Sequence, residues 1–201
     1  SRFDFKWIRF KRYIFLLNLL FTFFNKKIEN KILFTFDDGY FSSMLAARYL
    51  QKYYKINSII FISTININRL GFLNEKHINK KSKSIHIGSH GVNHISLSKN
   101  LSNKIIYQEL FESKKILSTL TRSNINKLSF PNGIYCKKAL RIAKDLDFNY
   151  IFTSKRASNR LKQNDQTINR FVITRNTPLF MILAAYTGIL DQVQTLKNKI
   201  K

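Results

Sequence analysis

A chain of 201 residues is long enough for one substantial hydrophobic core and too short for two well-packed domains. Its 44% hydrophobic content excludes a wholly disordered protein, and its one cysteine, Cys136, excludes an internal disulfide and a multi-cysteine metal site. The formal net charge of +24 favours polyanionic partners, but the basic residues are spread along the whole chain. Because nucleic-acid binding needs them concentrated on one face, we do not expect that function.

The first 30 residues differ from the rest of the chain. Residues 1–30 are basic and apolar and are expected to form an extension in front of one catalytic-size domain over residues 31–201. The apolar run at residues 13–24 is shorter than the roughly 20 residues that a membrane-spanning helix needs. It predicts either a helix that lies in a membrane interface or a helix packed on the domain's own core.

Strand and helix patterns alternate through the remaining residues. Short apolar runs predict strands at residues 31–36, 58–64, 84–88, 127–130, 150–153 and 170–173. Helices are predicted at residues 42–54, 102–120, 136–146 and from 179 onward. Ser42 or Ser43 is expected to cap the first helix, and residues 65–84 and 154–168 are expected to be long loops. The alternation predicts the α/β class, with a parallel sheet or barrel and helices outside it.

Three polar clusters each follow the carboxyl end of a predicted strand. They are Asp37-Asp38-Gly39, His90-Gly-Val-Asn-His94 and Pro131-Asn132-Gly133. In parallel sheets and α/β barrels, this edge is where catalytic residues are placed. The three clusters are therefore expected to meet at one site.

The first two clusters contain the residue types of a metal site. His90 and His94 are four residues apart, so one helical turn would bring both imidazoles to one side. With Asp38 they make a ligand set that suits zinc or another divalent transition metal and leaves positions open for water and substrate. Asp37 would then accept a proton from water as a general base. The alternative interpretation is a solvated turn and two ordinary surface histidines.

The third cluster has two interpretations. Pro131-Asn132-Gly133 is compatible with a plain β-turn. Its backbone N–H groups are also suited to stabilise negative charge that develops on a carbonyl oxygen, as an oxyanion hole does. Proline has no N–H to donate, so the amide of Asn132 is the natural candidate.

The three clusters, in this order and spacing, resemble the motifs of polysaccharide deacetylases of the NodB-homology type, carbohydrate esterase family 4. The similarity runs from about residue 31 to residue 152. The resemblance implies a distorted (β/α) barrel of about seven parallel strands. It also implies metal-dependent hydrolysis of an N-acetyl group on an amino sugar, with zinc as the expected ion and cobalt or nickel as alternatives.

The resemblance also assigns roles to individual residues. It implies metal ligation by Asp38, His90 and His94, with Asp37 as the general base. It implies that the Asn132 amide is the oxyanion donor, and it implies substrate binding by Pro131 and Gly133 of the same turn and by Tyr135, which follows it.

Three departures from the family pattern affect the expected mechanism. Ser129 stands where many members carry an arginine that orients the base, and His86 stands where an acidic residue is common. The late histidine that serves as general acid in many members has no counterpart, because all four histidines lie at or before position 94. The proton for the leaving amine would then come from Asp37, from His86 or from water.

We therefore expect a sugar N-deacetylase of cell-envelope or surface-polysaccharide metabolism, acting on an N-acetylated glycan. Deacylation or deformylation of a lipid-linked amino sugar is a second hypothesis, which the apolar N-terminal residues would suit. A glycan- or polyanion-binding relative without turnover is a third, which the missing histidine and the positive charge favour. The expected location is the cell envelope or a membrane surface, on either side, including the cytoplasmic one.

Overall fold

Six parallel strands form one sheet in a computed structural model of the chain, which describes residues 33–155, 167–174, 176–178 and 180–182. The strands are Phe34–Phe36 (β1), Ser58–Ile62 (β2), Ile85–Ser89 (β3), Lys127–Ser129 (β4), Tyr150–Phe152 (β5) and Thr167–Ile168 (β6). Each strand pairs with the next one in the sequence, so the sheet order is β1-β2-β3-β4-β5-β6. The expected α/β class is confirmed, as an open half-barrel with six strands in the described residues where about seven were expected.

In the part of the chain that the structure describes, four α-helices lie between successive strands. They are Phe41–Tyr54 (α1), Glu75–Asn79 (α2), Asn103–Thr121 (α3) and Lys137–Asp145 (α4). The side chain of Ser102 caps α3 by accepting a hydrogen bond from the N–H of Ile105, and Asn74 forms a capping box with His77 at the start of α2. Short 3₁₀ turns at Thr64–Asn66 and Pro131–Gly133 follow β2 and β4.

Both faces of the sheet carry buried apolar side chains. On β2, Ile60 and Ile62 belong to the main core between the sheet and the helices. Their neighbours Ile59 and Phe61 join Phe152 in a smaller cluster on the other face. Because residues alternate between the faces of a strand, this arrangement explains why β2 is buried throughout and apolar from Ile59 to Ile62. The rigid sheet fixes the positions at which the strands end.

The start of α1 differs from the sequence prediction. The N-cap is Tyr40, without a side-chain capping bond, rather than Ser42 or Ser43. Backbone contacts with the loop before α2 fix this start, because Phe41 N–H donates to the Gly71 carbonyl and Tyr40 forms an antiparallel bridge with Phe72. Tertiary pairing thus replaces the local cap.

Two other local predictions were wrong. The predicted loop at residues 65–84 contains α2, and the last strand lies at Thr167–Ile168 rather than at residues 170–173. The two-residue strand β6 is too short to produce a periodic pattern, whereas the apolar run after it lies beyond the paired positions. As a result, Arg170 follows the carboxyl end of a strand instead of starting one.

The N-terminal extension, most of the loop at residues 154–168 and nearly all of the tail lie outside the described residues, so the predictions for them stay predictions. Within the part of the chain that the structure describes, no helix has the length and apolar character needed to cross a bilayer.

Candidate active site

The carboxyl ends of the strands bring the predicted site residues to one edge of the sheet. Asp37 and Asp38 directly follow β1, and His90 directly follows β3. The Pro131–Gly133 turn follows β4 after one intervening residue. The expected convergence of the three clusters at this edge is therefore present in the fold.

Asp38, His90 and His94 form a compact group of possible metal ligands. The ligand atoms that they offer all lie within 4.8 Å of one another. Asp38 Oδ1 is 3.0 Å from His94 Nε2 and 3.6 Å from His90 Nε2. Two ligands of a tetrahedral zinc ion, each about 2.1 Å from the metal, are about 3.4 Å apart, so the spacing fits a divalent ion.

The His90 ring is held in the tautomer that a metal ligand needs. Its side chain is 2% exposed, and its Nδ1 donates a hydrogen bond of 2.7 Å to the Ser129 carbonyl. This bond leaves the lone pair of Nε2 directed toward Asp38. Burial lowers the pKa of His90 below its usual value, although the nearby Asp37 carboxylate and the bond to Ser129 act in the opposite direction. The neutral, ligating form of His90 is therefore favoured.

The backbone around the ligands adopts conformations that are rare for residues with a side chain. Asp38 has φ of 71° and His94 has φ of 58°, both in the left-handed region. Such conformations cost about 1–3 kcal/mol each and cluster at functional sites. Gly39 continues the turn with φ of 80°, and a Cβ added there would lie 3.1 Å from an Ile62 methyl group. These turns direct two neighbouring carboxylates into one site.

Arg170 clamps the predicted base, Asp37. Its Nη1 donates to Asp37 Oδ1 over 2.7 Å, and its Nη2 donates to Asp37 Oδ2 over 2.9 Å. Burial alone would raise the pKa of Asp37, but the hydrogen bonds from Arg170 and Ser129 and the positive charge of Arg170 act in the opposite direction, and this pKa lies below its usual value. The carboxylate is thus kept ionised and oriented.

Arg170 is the functional candidate that the sequence analysis missed. Its Nη2 also donates to Ser129 Oγ over 2.8 Å, at the position where many family members carry an arginine. Its Nε donates to the Thr153 carbonyl, and the guanidinium lies 5.6 Å from the centre of the Phe61 ring. The missing cation is therefore supplied from the residues after β6. One signal was available in the sequence, namely Ser129 at the end of β4, where many family members carry a positive charge.

A glycine on β3 makes room for this arrangement. A Cβ added to Gly88 would lie 2.5 Å from atoms of the Phe61 ring and 3.0 Å from the Lys127 carbonyl oxygen. The Phe61 ring can therefore lie this close to β3 only because residue 88 has no side chain. The ring in turn supports the guanidinium of Arg170.

The Pro131–Gly133 turn, which contains the predicted oxyanion donor, follows β4 at the same edge of the sheet as the candidate metal ligands. The N–H groups of Gly133 and Ile134 donate to the carbonyls of Phe130 and Pro131, and neither bond uses the N–H of Asn132. Asn132 has φ of 57°, and its exposed side chain donates to Ser96 Oγ. The turn therefore has a defined shape and keeps one N–H group outside its internal bonds.

The three predicted substrate-binding residues have structural contacts as well. Pro131 is buried, and its Cγ would lie 3.6 Å from a Cβ added to Gly91, which lies between His90 and His94. The Tyr135 ring is half-buried and stacks on Phe130, with 4.5 Å between ring centres. Gly133 packs against Ser154. Their predicted contacts with substrate stay predictions.

His86 does not lie at the site. It is the second residue of β3, four residues before His90, which corresponds to about 13 Å along a strand. Burial, with the charges of Lys127 and Lys81, lowers its pKa. We therefore remove His86 from the three candidate proton sources for the leaving amine, which leaves Asp37 and water.

A family model described as polysaccharide deacetylase matches residues 24–151, more than half of the chain. Among curated proteins, YxkH of Bacillus subtilis (strain 168), provisionally named a polysaccharide deacetylase, is 25% identical over 154 residues. The match covers 76% of this chain and 55% of that protein, so the chain spans about half the length of its curated relative.

Solved structures share the fold. The Streptococcus pyogenes deacetylase PplD, solved in complex with acetate, has a TM-score of 0.69 at 22% identity, over 81% of this chain and 74% of that chain. A pseudoenzyme of the CE4 family from Bacillus anthracis has a TM-score of 0.52 at 16% identity, over 61% of this chain and 43% of that chain. The half-barrel therefore occurs both in a deacetylase and in a relative described as a pseudoenzyme.

Proposed function

Because the chain belongs to the polysaccharide deacetylase family, we propose that it is a metal-dependent hydrolase that removes N-acetyl groups from amino sugars of a cell-envelope or surface polysaccharide. The observation that carries the proposal is the grouping of Asp38, His90 and His94 with their ligand atoms within 4.8 Å of one another. A clamped carboxylate, Asp37, directly precedes the first of these ligands.

A divalent ion would be held by Asp38, His90 and His94. Zinc is the first choice because two imidazoles and one carboxylate are typical of catalytic zinc, and cobalt or nickel accept the same ligands. When bound, such an ion supplies Lewis acidity, which polarises a substrate carbonyl and favours the deprotonation of water. The side chains of Asp38 and His94 are about one-third exposed, so substrate can approach from their side.

Asp37 takes the proton of the attacking water as general base. Arg170 and Ser129 stabilise its ionised form, which is the form that can accept a proton. The bidentate contact also fixes the plane of the carboxylate, so the oxygen that accepts the proton keeps its position. Arg170 therefore both orients this base and keeps it charged.

The Asn132 N–H donates to the carbonyl oxygen of the acetyl group as negative charge develops there. Because the turn is already closed by its own backbone bonds, the donor needs no rearrangement during the reaction. Removal of one preorganised donor of this kind typically lowers kcat by about a hundred- to a thousandfold.

The proton that Asp37 accepts is returned to the sugar nitrogen as the carbon–nitrogen bond breaks. The products are then acetate and a free amine, and the carboxylate is regenerated. His86 is too distant for this step, and no histidine follows position 94. This cycle needs no separate general acid.

Acetate release tests the proposal. The chelated full-length chain is reloaded with zinc, cobalt or nickel and incubated with N-acetylglucosamine oligomers and acetylated surface polysaccharide. We expect metal-dependent acetate release that His90→Ala abolishes, together with metal binding. Asp37→Asn should keep the metal and lose turnover. His86→Gln is the matched histidine control and should keep both. Bound metal without acetate release from either substrate would contradict the proposal.

Two other functions remain candidates on specific observations. The basic, apolar residues 1–30 favour a lipid-linked amino sugar as substrate, deacylated or deformylated at a membrane surface on either side. Formate or fatty-acid release in the same assay would identify that activity. The missing late histidine and the high positive charge favour a glycan- or polyanion-binding role without turnover, for which glycan binding without any acyl release would be the evidence.

A further inference from the structure

Glu109 is a buried carboxylate that contacts the loop between the two candidate histidine ligands. It lies on α3 and is 5% exposed. Its Oε2 accepts hydrogen bonds from the backbone N–H groups of Val92, at 2.9 Å, and Asn93, at 3.0 Å. Its Oε1 accepts a third bond from the side-chain amide of Asn93. All three donors belong to the residues directly before His94.

Helix α3 also helps to hold the N–H group of Gly91, the residue before Val92, through a pair of serines. Ser113 lies on α3 one turn after Glu109. Its Oγ is 2.6 Å from the Oγ of Ser89 and donates a hydrogen bond to the Leu110 carbonyl. Ser89 Oγ therefore donates to Ser113 and accepts from the N–H of Gly91 at 3.2 Å. Through these side chains, α3 holds the N–H groups of three successive residues, 91–93.

The loop approaches the carboxylate closely because Gly91 lacks a side chain. A Cβ at this position would lie 3.1 Å from Glu109 Oε2, and the backbone has φ of +74°. Burying a carboxylate is costly unless it is paired and hydrogen-bonded. The partners of Glu109 among the described residues are the loop's own N–H groups, so its charge is used to hold that loop.

We propose that Glu109 is a positioning residue of the metal site, which sets the geometry of His90 and His94 through the backbone between them. The inference rests on the proposed metal dependence and extends it to a residue that touches neither ion nor substrate. Without the carboxylate, three donors lose their acceptor and the left-handed conformation of His94 loses its support. His94 would then sample positions in which its Nε2 no longer faces Asp38.

The test uses cobalt as the probe ion on the full chain. Cobalt affinity is measured by competition with a chromophoric chelator, ligand geometry by the visible spectrum of the cobalt-loaded protein, and the fold by circular dichroism and thermal unfolding without metal. For Glu109→Ala we expect cobalt affinity to fall by about ten- to a hundredfold, the range typical for residues that orient metal ligands, and the spectrum to change. Glu112→Ala, an exposed glutamate on the same helix, is the matched control and should match wild type.

Glu109→Gln serves if the alanine variant does not fold. It keeps the side-chain length but offers one acceptor oxygen to three donors, so we expect about a tenfold loss of affinity. A purely structural role would lower the unfolding temperature of the metal-free protein and leave affinity and spectrum unchanged. Wild-type affinity and spectrum in the folded variant would overturn the inference. Failure of the wild-type chain to bind cobalt would instead overturn the metal dependence, and this inference with it.

Discussion

At the scale of single residues, the contact between Arg170 and Asp37 decides how the candidate base behaves. The two residues are 133 positions apart, and four hydrogen bonds from the guanidinium end on side chains of Thr35, Asp37 and Ser129. The sequence identified Asp37 because two adjacent carboxylates and a glycine form a local pattern. It did not identify Arg170, since no local pattern records which distant side chain closes a site.

Replacing Arg170 with glutamine should slow turnover and shift its pH dependence. We expect kcat/KM to fall by about a hundredfold, the effect of misplacing a catalytic group by about 1 Å. Because the guanidinium lowers the pKa of Asp37, its removal raises that pKa, and a base with a higher pKa becomes protonated at a higher pH. The acidic limb of the kcat/KM profile should therefore move to higher pH, with the largest loss on the acidic side.

Arg141→Gln is the control for that measurement, because Arg141 is exposed on α4. Both variants are compared over the full pH range with metal saturating. An acidic limb that stays in place in Arg170→Gln would show that Arg170 does not control the ionisation of the base.

At the scale of elements, the ends of β1, β3 and β4 could be predicted from the sequence, whereas features that depend on pairing between distant segments could not. Apolar runs followed by polar clusters located β1, β3 and β4 to within a few residues, and with them the edge where the site lies. The start of α1 and the position of β6 depended on pairing with other segments, so local patterns misplaced both. The parts of the site that follow these runs were therefore predicted, whereas Arg170, which follows the two-residue strand β6, was missed.

The contact between the Pro131–Gly133 turn and Ser154, just after β5, predicts how Gly133→Ala would change stability and turnover. A Cβ on Gly133 would lie 2.6 Å from Ser154 Oγ, and the backbone has φ of +67°. We expect about 1–2 kcal/mol lower stability from the left-handed backbone alone, and a larger loss of kcat because the turn must move.

Ser154→Gly separates the two effects in Gly133→Ala. It removes the side chain that the new methyl group meets but leaves the backbone conformation unchanged. The double variant should regain kcat while keeping the stability loss, as measured by denaturant unfolding and acetate release. Equal kcat in the single and double variants would show that displacement of the turn by Ser154 is not the cause.

At the scale of the whole molecule, the candidate metal site links segments that the sheet keeps apart. Asp38 follows β1 and His90 follows β3, with β2 paired between them. The chain carries only 11 acidic residues against 35 lysines and arginines, yet three of the acidic ones, Asp37, Asp38 and Glu109, serve this one region. A metal there would join two non-neighbouring strand ends and neutralise adjacent carboxylates.

Metal binding should therefore stabilise the whole fold. Zinc at about a thousand times its Kd should add about 4 kcal/mol to the free energy of unfolding, which corresponds to roughly 10 °C in Tm for a chain of this size. The measurement is thermal unfolding of chelated protein with and without zinc. His94→Ala should lose most of this increase, whereas His86→Gln should retain it. An equal zinc-induced increase in Tm in His94→Ala and His86→Gln would show that the stabilising ion does not bind at His94.

The separation along the chain between the metal ligands and Arg170 has an evolutionary consequence. All three ligands lie within residues 38–94, while the cation that orients the base enters from the opposite end of the sheet. One substitution at residue 170 would therefore remove the clamp and leave the three candidate ligands in place, so turnover and ion binding can be lost separately in evolution.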